Sequence, residues 1–109
     1  MTFEEVKTII NSIGLPAAYF SFPEKEAPVL PYLIYFYPEM RPETADNTHH
    51  AQICSLILEL YTETKDFDVE SSVDTALLNA GFVFGKEETY LNDEQMYEVI
   101  YQMEVAING

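Results

Sequence analysis

Apolar and polar side chains alternate strictly along the last strand-like stretch of the chain, residues 94–105. The side chains that fall on one side of an extended backbone are those of Tyr97, Val99, Tyr101, Met103 and Val105. The glutamates and glutamine between them fall on the other side. Alternation with a period of two over this length is typical of a β-strand that is buried on one face. The pattern therefore predicts a long closing strand, with Tyr101 directed into the core beneath a helix.

Two apolar segments in the middle of the chain predict further long strands. Residues 31–38 begin and end with proline and are apolar on both faces, which is typical of a strand covered on both sides. One face can take a helix, and the other can meet a neighbouring subunit or simply lie in the centre of the protein. The next strand is predicted from about His50 to Thr64. Residues 39–48 between the two have no periodicity and predict an exposed loop that is long enough to carry contacts.

Helical spacing of apolar residues predicts two helices. The first begins at the N-cap Thr2, with Glu5 completing a capping box, and its apolar face runs from Phe3 to Ile13 before Gly14 and Pro16 end it. The second begins near Lys65 with Asp66 or Asp68 as its cap and ends at Gly81. The residues predicted on its apolar face are Val69, Val73, Ala76, Leu77 and Ala80.

Shorter apolar stretches at residues 17–22 and 82–90 complete the pattern and predict two more strands. The predicted order is helix, strand, strand, strand, helix, strand, strand (α-β-β-β-α-β-β). Runs of adjacent strands favour an α+β fold, with a mainly antiparallel sheet of four to five strands and two helices packed on it. At 109 residues, we expect a single domain spanning 1–109.

The net charge of the chain excludes or disfavours several classes of function. Nineteen acidic residues against five basic ones give a formal net charge of −14. Direct nucleic-acid binding and binding to anionic membranes are disfavoured, because both need clustered Lys and Arg. Three interpretations of the charge remain: solubility, a surface or channel that repels DNA, and an inhibitor that mimics DNA. A mimic needs carboxylates spaced along one helical face, whereas the acids here are scattered.

Candidate chemistry is sparse. His49 and His50 are adjacent in a strand, so they point to opposite faces and do not readily share a metal ion. Cys54 is the single cysteine, which excludes an internal disulfide and suggests a small core residue. No nucleophile elbow or glycine-rich phosphate loop is present, and acidic pairs such as Glu87 and Glu88 are expected in so acidic a chain. We therefore expect no enzyme activity, no cofactor and no metal site.

The eight tyrosines suggest contacts with other proteins. Aromatic side chains that stack on bases normally have basic neighbours, which these lack, so core and interface positions are the better interpretation. Strands this long also make a sheet that two helices cannot cover, which favours self-association. The residues expected at a subunit interface are Tyr32, Tyr35, Tyr37, Met40, Arg41, Asn47 and His49. No signal peptide or apolar run of membrane-spanning length is visible, so a cytosolic chain is expected.

The order of several short motifs resembles a known family. These are an amino-terminal helix, Gly14-Leu15-Pro16, the aromatic segment 31–35, Ala45-Asp46-Asn47, the segment 59–66 before a helix, and a closing hairpin with Glu94-Gln95-Met96-Tyr97. In this order, over nearly the whole chain, they resemble tail-completion proteins of long-tailed phages and prophages of Gram-positive bacteria, which act as tail terminators or in head-tail joining.

The resemblance implies a structural, non-enzymatic α+β protein that forms a ring, commonly hexameric, at the head-proximal end of the tail. It implies assembly in the host bacterial cytoplasm and a final place in the virion tail. The expected partners are further copies of the chain, the tail tube and neck proteins, with no membrane and no direct nucleic-acid binding. An acidic lumen would let DNA pass by repulsion. The resemblance leaves terminator and head-tail joining roles open, and an acidic inhibitor that mimics DNA is the alternative from a different class.

Overall fold

Two helices and five strands make up the part of the chain that the structure describes. The computed structural model describes residues 1–23, 28–45 and 49–108, with side chains at those positions except 43–45 and 49–51. In chain order the elements are α1 (Phe3–Asn11), β1 (Ala17–Tyr19), β2 (Tyr32–Ala45), β3 (His49–Thr62), α2 (Phe67–Asn79), β4 (Phe84–Leu91) and β5 (Met96–Asn108). The predicted α+β fold and its element order are confirmed.

The strands form one sheet in the order β1-β2-β3-β5-β4. Every neighbouring pair is antiparallel except β1 and β2, which run parallel over Ala17–Tyr19 and Leu33–Tyr35. The sheet is therefore mixed but mainly antiparallel. One edge of the sheet is formed by β1 and, beyond the end of β1, by the outer side of β2. The other edge is formed by β4.

The predicted loop at residues 39–48 is wrong for residues 39–45, which continue β2. They pair with β3 from Glu39 opposite Ser55 to Ala45 opposite His49, after a bulge between Phe36 and Glu39. Residues 46–48 lie outside the described part of the chain. The local sequence has no strand pattern because Pro38 and Pro42 interrupt it, and proline is tolerated on the outer side of an edge strand. Pairing with the strongly apolar β3 decides the conformation instead of local propensity.

The core lies between the two helices and one face of the sheet. Val6 and Ile10 of α1 and Val73 and Leu77 of α2 are fully buried. They pack in one cluster with alternate residues of the central strands, namely Leu33, Tyr35, Cys54, Leu56, Leu58, Leu60, Val99, Tyr101, Met103, Val105 and Ile107. The predicted inward face of β5 and the burial of Cys54 are both confirmed.

The helix ends follow the predicted capping chemistry. The Thr2 hydroxyl accepts a hydrogen bond from the backbone N–H of Glu5, and the Asp66 carboxylate accepts one from the N–H of Val69. Gly81 follows α2 with a φ of 87°, a conformation that favours glycine. Two elements are shorter than predicted: α1 stops at Asn11, and β1 stops at Tyr19 because Phe20 turns the chain with a φ of 69°. Neither helix in the described residues has the length and apolarity to cross a membrane.

Candidate assembly surfaces

The second face of the sheet carries no helix in the described part of the chain. Three rows of side chains cross this open face from β2 to β4 in the observed register. They are Tyr32–Tyr61–Glu98–Thr89, Ile34–Glu59–Ile100–Glu87 and Phe36–Ile57–Gln102–Gly85. Apolar and aromatic side chains dominate the β2 and β3 half of these rows. Such a face is half-buried in an isolated chain and suits contact with another protein surface.

The segment after β1 folds over one corner of the open face. Phe22 contacts Tyr32 edge-on with ring centroids 5.3 Å apart, and Phe20 contacts Phe36 in the same manner at 5.7 Å. Tyr32 in turn lies 5.2 Å from the ring of Tyr61. These contacts leave Ile34 buried, and they explain how β2 is apolar on both faces without a helix on each side.

Two carboxyl groups meet within this apolar face. Glu98 is only 8% exposed and accepts a hydrogen bond of 2.7 Å from the Tyr61 hydroxyl. Glu59 lies beside it on β3. Burial raises the pKa of Glu59 to about 7, and a hydrogen bond with Glu98 and the charge of Glu98 add to the effect. Burial and the same two carboxylates raise the pKa of Tyr61 as well. Glu59 therefore keeps its proton to a higher pH than an ordinary glutamate does. Neither Glu59 nor Glu98 takes part in a salt bridge among the described residues.

An aromatic pocket lies on the helix-bearing side of the sheet, at the β1–β2 edge. Its cavity volume is about 320 Å³. The lining residues are Phe3, Glu4 and Lys7 of α1, Tyr19 of β1, and Tyr35, Tyr37 and Met40 of β2. Tyr19 contacts Tyr35 at 5.3 Å between ring centroids, and Phe3 contacts Tyr37 at 5.1 Å. The backbone N–H of Tyr37 donates to the Tyr19 hydroxyl at 3.3 Å, so these rings hold one another in place.

The Tyr37 hydroxyl is buried and has no hydrogen-bond partner among the described residues. Burial raises the pKa of Tyr37, with smaller effects from Tyr35, Cys54 and Tyr19. An unsatisfied buried hydroxyl costs about 1–3 kcal/mol. Removal of the Tyr37 hydroxyl should therefore stabilise the fold.

We expect Tyr37→Phe to raise the free energy of unfolding by about 1 kcal/mol, because the ring contacts stay and the unsatisfied hydroxyl goes. Urea denaturation followed by circular dichroism measures the change. The matched control is Tyr61→Phe, which removes a hydroxyl that does donate and should lower stability. A loss of stability in Tyr37→Phe would show that its hydroxyl has a partner in solution.

A network of opposite charges joins α2 to the β4 edge. Glu70 contacts both Lys65 and Lys86, Lys65 also contacts Glu88, and Lys86 also contacts Asp74 at 3.0 Å. Burial alone would raise the pKa of Glu70, but hydrogen bonds from the two lysines outweigh it and leave that pKa below its usual value. Arg41 pairs with Glu39 and, at 3.2 Å, with Glu104. Within the part of the chain that the structure describes, Arg41, Lys65 and Lys86 thus serve contacts within the chain.

The residues predicted at a subunit interface do not form one surface. Tyr32 lies on the open face, whereas Tyr35, Tyr37 and Met40 line the aromatic pocket on the helix side. Arg41 is exposed on the continued part of β2, beside Glu104. Asn47 lies outside the described residues, and so does the side chain of His49, whose backbone opens β3. Whether any of them contacts a second subunit stays a prediction.

The carboxyl pair was missed by sequence reasoning. Glu98 falls on the polar side of an alternating strand, and nothing local distinguishes it from Gln102 or Glu104. Glu59 offers a signal, because it is the one acid within the apolar run from Ile53 to Leu60. Only the register of β3 against β5 brings the two carboxyl groups together.

No protein-family model matches this chain, and no curated protein sequence matches it either. Among solved structures, the chain is similar to one from the "virion of native gene transfer agent (GTA) particle". The TM-score is 0.62 at 13% sequence identity, over 93% of this chain and 84% of that chain. At this identity the likeness is one of fold.

Proposed function

We propose that this protein is a structural component of a phage or phage-like particle. The observation that carries the proposal is the shared fold with a chain of a gene transfer agent virion over nearly the full length of both chains. The order of motifs in the sequence independently resembles tail-completion proteins. The comparisons give no similar support for a catalytic role.

The finer role that we propose is a ring at the head-proximal end of the tail, as a terminator or in head-tail joining. Two kinds of surface support this role. An open sheet face with apolar rows can lie against a tail tube or neck protein, and the two sheet edges can meet their counterparts in neighbouring copies. The net charge of −14 suits a ring through which DNA passes without binding.

The purified chain should form closed rings at assembly concentrations. Sedimentation velocity gives the number of subunits, and negative-stain electron microscopy shows whether the assembly has a central opening. A chain that remains monomeric over the whole accessible concentration range, with and without its tail tube, would contradict the ring. Stoichiometric binding to a DNA-processing enzyme instead would favour the DNA-mimicking inhibitor.

Deletion of the gene from its phage or prophage separates the two finer roles. A terminator caps a growing tube, so its loss should give tubes of uncontrolled length. A joining protein acts on finished tails, so its loss should give tails of normal length beside separate heads. Normal, infectious particles from the deletion would contradict both roles.

A further inference from the structure

Another pocket lies at the corner of the open face, and we propose that it receives an arginine side chain of a different protein. This corner pocket has a volume of about 280 Å³ and is lined by residues 20–22 after β1, Tyr32 and Ile34 of β2, and Glu59 and Tyr61 of β3. Pockets for drug-sized ligands start at about 300 Å³, so the corner pocket suits a single side chain. The contact does not depend on the proposed ring.

The aromatic walls of the corner pocket suit a planar cation. The rings of Phe22, Tyr32 and Tyr61 contact one another in series, with centroids 5.3 Å and 5.2 Å apart, so little ordering is needed on binding. A guanidinium group stacks on aromatic rings and is less strongly hydrated than an ammonium group. These walls therefore favour arginine over lysine.

The carboxyl pair supplies the opposite charge. Glu59 lies in the wall of the corner pocket, and Glu98 lies next to it and accepts from the Tyr61 hydroxyl. A buried carboxylate is costly unless a cation or hydrogen-bond donors compensate it. In the free chain a proton does so, because burial and the neighbouring Glu98 raise the pKa of Glu59 to about 7. A guanidinium group has five N–H donors and can replace this proton while it contacts both carboxylates.

The titratable groups around the pair are neutral or acidic on every neighbouring strand that the structure describes. They are Tyr32 on β2, Tyr61 on β3, Glu98 on β5, Glu87 on β4 in the same row as Glu59, and Glu94, whose charge adds to burial in raising the pKa of Tyr32. The basic side chains of the described residues lie elsewhere. Lys7 lines the aromatic pocket, Lys65 and Lys86 contact Glu70, and Arg41 pairs with Glu39 and Glu104.

Other occupants fit the corner pocket less well. An apolar side chain would leave the carboxyl pair without a partner. A calcium ion takes six to eight oxygen ligands, and no cluster of three or more acidic, histidine or cysteine side chains that could hold a metal occurs in the described ranges. A second copy brings a net charge of −14 and a single arginine, Arg41, which already has acidic partners. Charge complementarity therefore favours a different protein with a basic surface.

The test uses short peptides as probes of the full chain. A glycine-arginine-glycine peptide with blocked ends is titrated against the protein, and the NMR signals of the Glu59 carboxyl group and the Tyr61 ring are followed. The matched probe replaces arginine by citrulline, which has nearly the same shape and no charge. We expect the citrulline peptide to bind at least about tenfold more weakly, the loss expected for a hydrogen bond to a charged group. Equal binding of the two peptides would contradict the proposal.

Two variants of the chain separate the corner pocket from general attraction to an acidic protein. Glu59→Gln should weaken binding of the arginine peptide at least about tenfold at pH 8, although it removes an unfavourable buried charge from the fold. The matched control is Glu87→Gln, which removes the same charge from the same row of the open face and should bind like the parent. Equal weakening in both variants would contradict a site at Glu59.

The pH dependence tests whether arginine replaces the proton on Glu59. Binding of the arginine peptide to the parent should tighten at least about tenfold from pH 5 to pH 8, because the pair must lose its proton to accept the cation. Affinity that does not change with pH would contradict the exchange.

The pKa of Glu59 in the free chain reports the competing occupants. If this pKa falls as the protein concentration rises, a second copy fills the corner pocket and the proposal of a different protein is wrong. If it lies near the ordinary value and rises in Lys25→Gln, the chain fills the pocket with its own Lys25, which lies outside the described residues, and the proposal is equally wrong. None of these results bears on the ring, which sedimentation velocity tests separately.

Discussion

Tyr101→Ala should lower the free energy of unfolding by about 3–5 kcal/mol, the range for large buried aromatic residues cut to alanine. Tyr101 is fully buried at the centre of β5 beneath α2. Its ring contacts Phe84 at 5.3 Å, and the Lys86 ammonium group lies 5.5 Å from the ring centre. Its hydroxyl donates to the Asp74 carboxylate at 2.7 Å. The substitution opens a cavity and removes a hydrogen bond between helix and sheet at once.

Urea denaturation of purified protein measures this loss, and two controls separate its parts. Tyr101→Phe keeps the ring and removes only the hydroxyl, so it should cost about 1 kcal/mol. Tyr90→Ala removes a tyrosine of the same size from the exposed edge strand β4 and should cost far less than Tyr101→Ala. An unfolding curve for Tyr101→Ala that overlays the parent's would place the inward face of β5 one residue out of register.

Glu59→Gln should stabilise the protein by about 2–3 kcal/mol at pH 8 and change little at pH 4. The pKa of Glu59 is about 7 in the folded protein and 4.5 for an ordinary glutamate. A raised pKa means that the folded state binds the proton more tightly than the unfolded state. Protonated Glu59 therefore contributes its full stabilising free energy to the parent protein below about pH 4.5. This contribution is lost as the pH rises to about 7.

Glutamine mimics the protonated carboxyl group and does not ionise, so the variant escapes this loss. A pKa difference of this size corresponds to about 3 kcal/mol, and partial exposure of Glu59 reduces it. Thermal unfolding at a series of pH values measures the difference between parent and variant, which should grow between about pH 4.5 and pH 7 and then level off. Glu87→Gln, at an exposed glutamate in the same row of the open face, should show no such growth. A constant difference across the series would mean that folding does not raise the pKa of Glu59.

The helices and strands could be predicted from the sequence wherever their conformation depends on residues close to one another in the chain. The alternation in β5, the capping residues Thr2 and Asp66, and the glycine after α2 each reflect contacts within a few residues, and the structure confirms them. The prediction for residues 39–45 was wrong because their conformation depends on pairing with β3, which the local pattern around Pro38 and Pro42 does not reveal. Propensity is a weak guide where a partner strand decides.

The candidate surfaces were predictable only in part. Tyr35, Tyr37 and Met40 were expected at an interface because segment 31–38 is apolar on both faces and a contact loop was predicted after it. They do lie together around one pocket. Tyr19, Phe3 and Lys7, which complete the pocket, come from two other elements, and no spacing in the sequence connects them.

The length of β2 and β3 sets the distance between the two ends of the sheet. Each has 14 residues, so each strand spans about 45 Å at the usual rise per residue. In an assembly whose contacts lie at the two ends of these strands, they act as a ruler that separates one contact layer from the next. Because side chains alternate between faces, a strand without a bulge changes length only in steps of two residues, about 6–7 Å, if its covered and open faces are to stay the same. The bulge between Phe36 and Glu39 lets β2 take up a single extra residue.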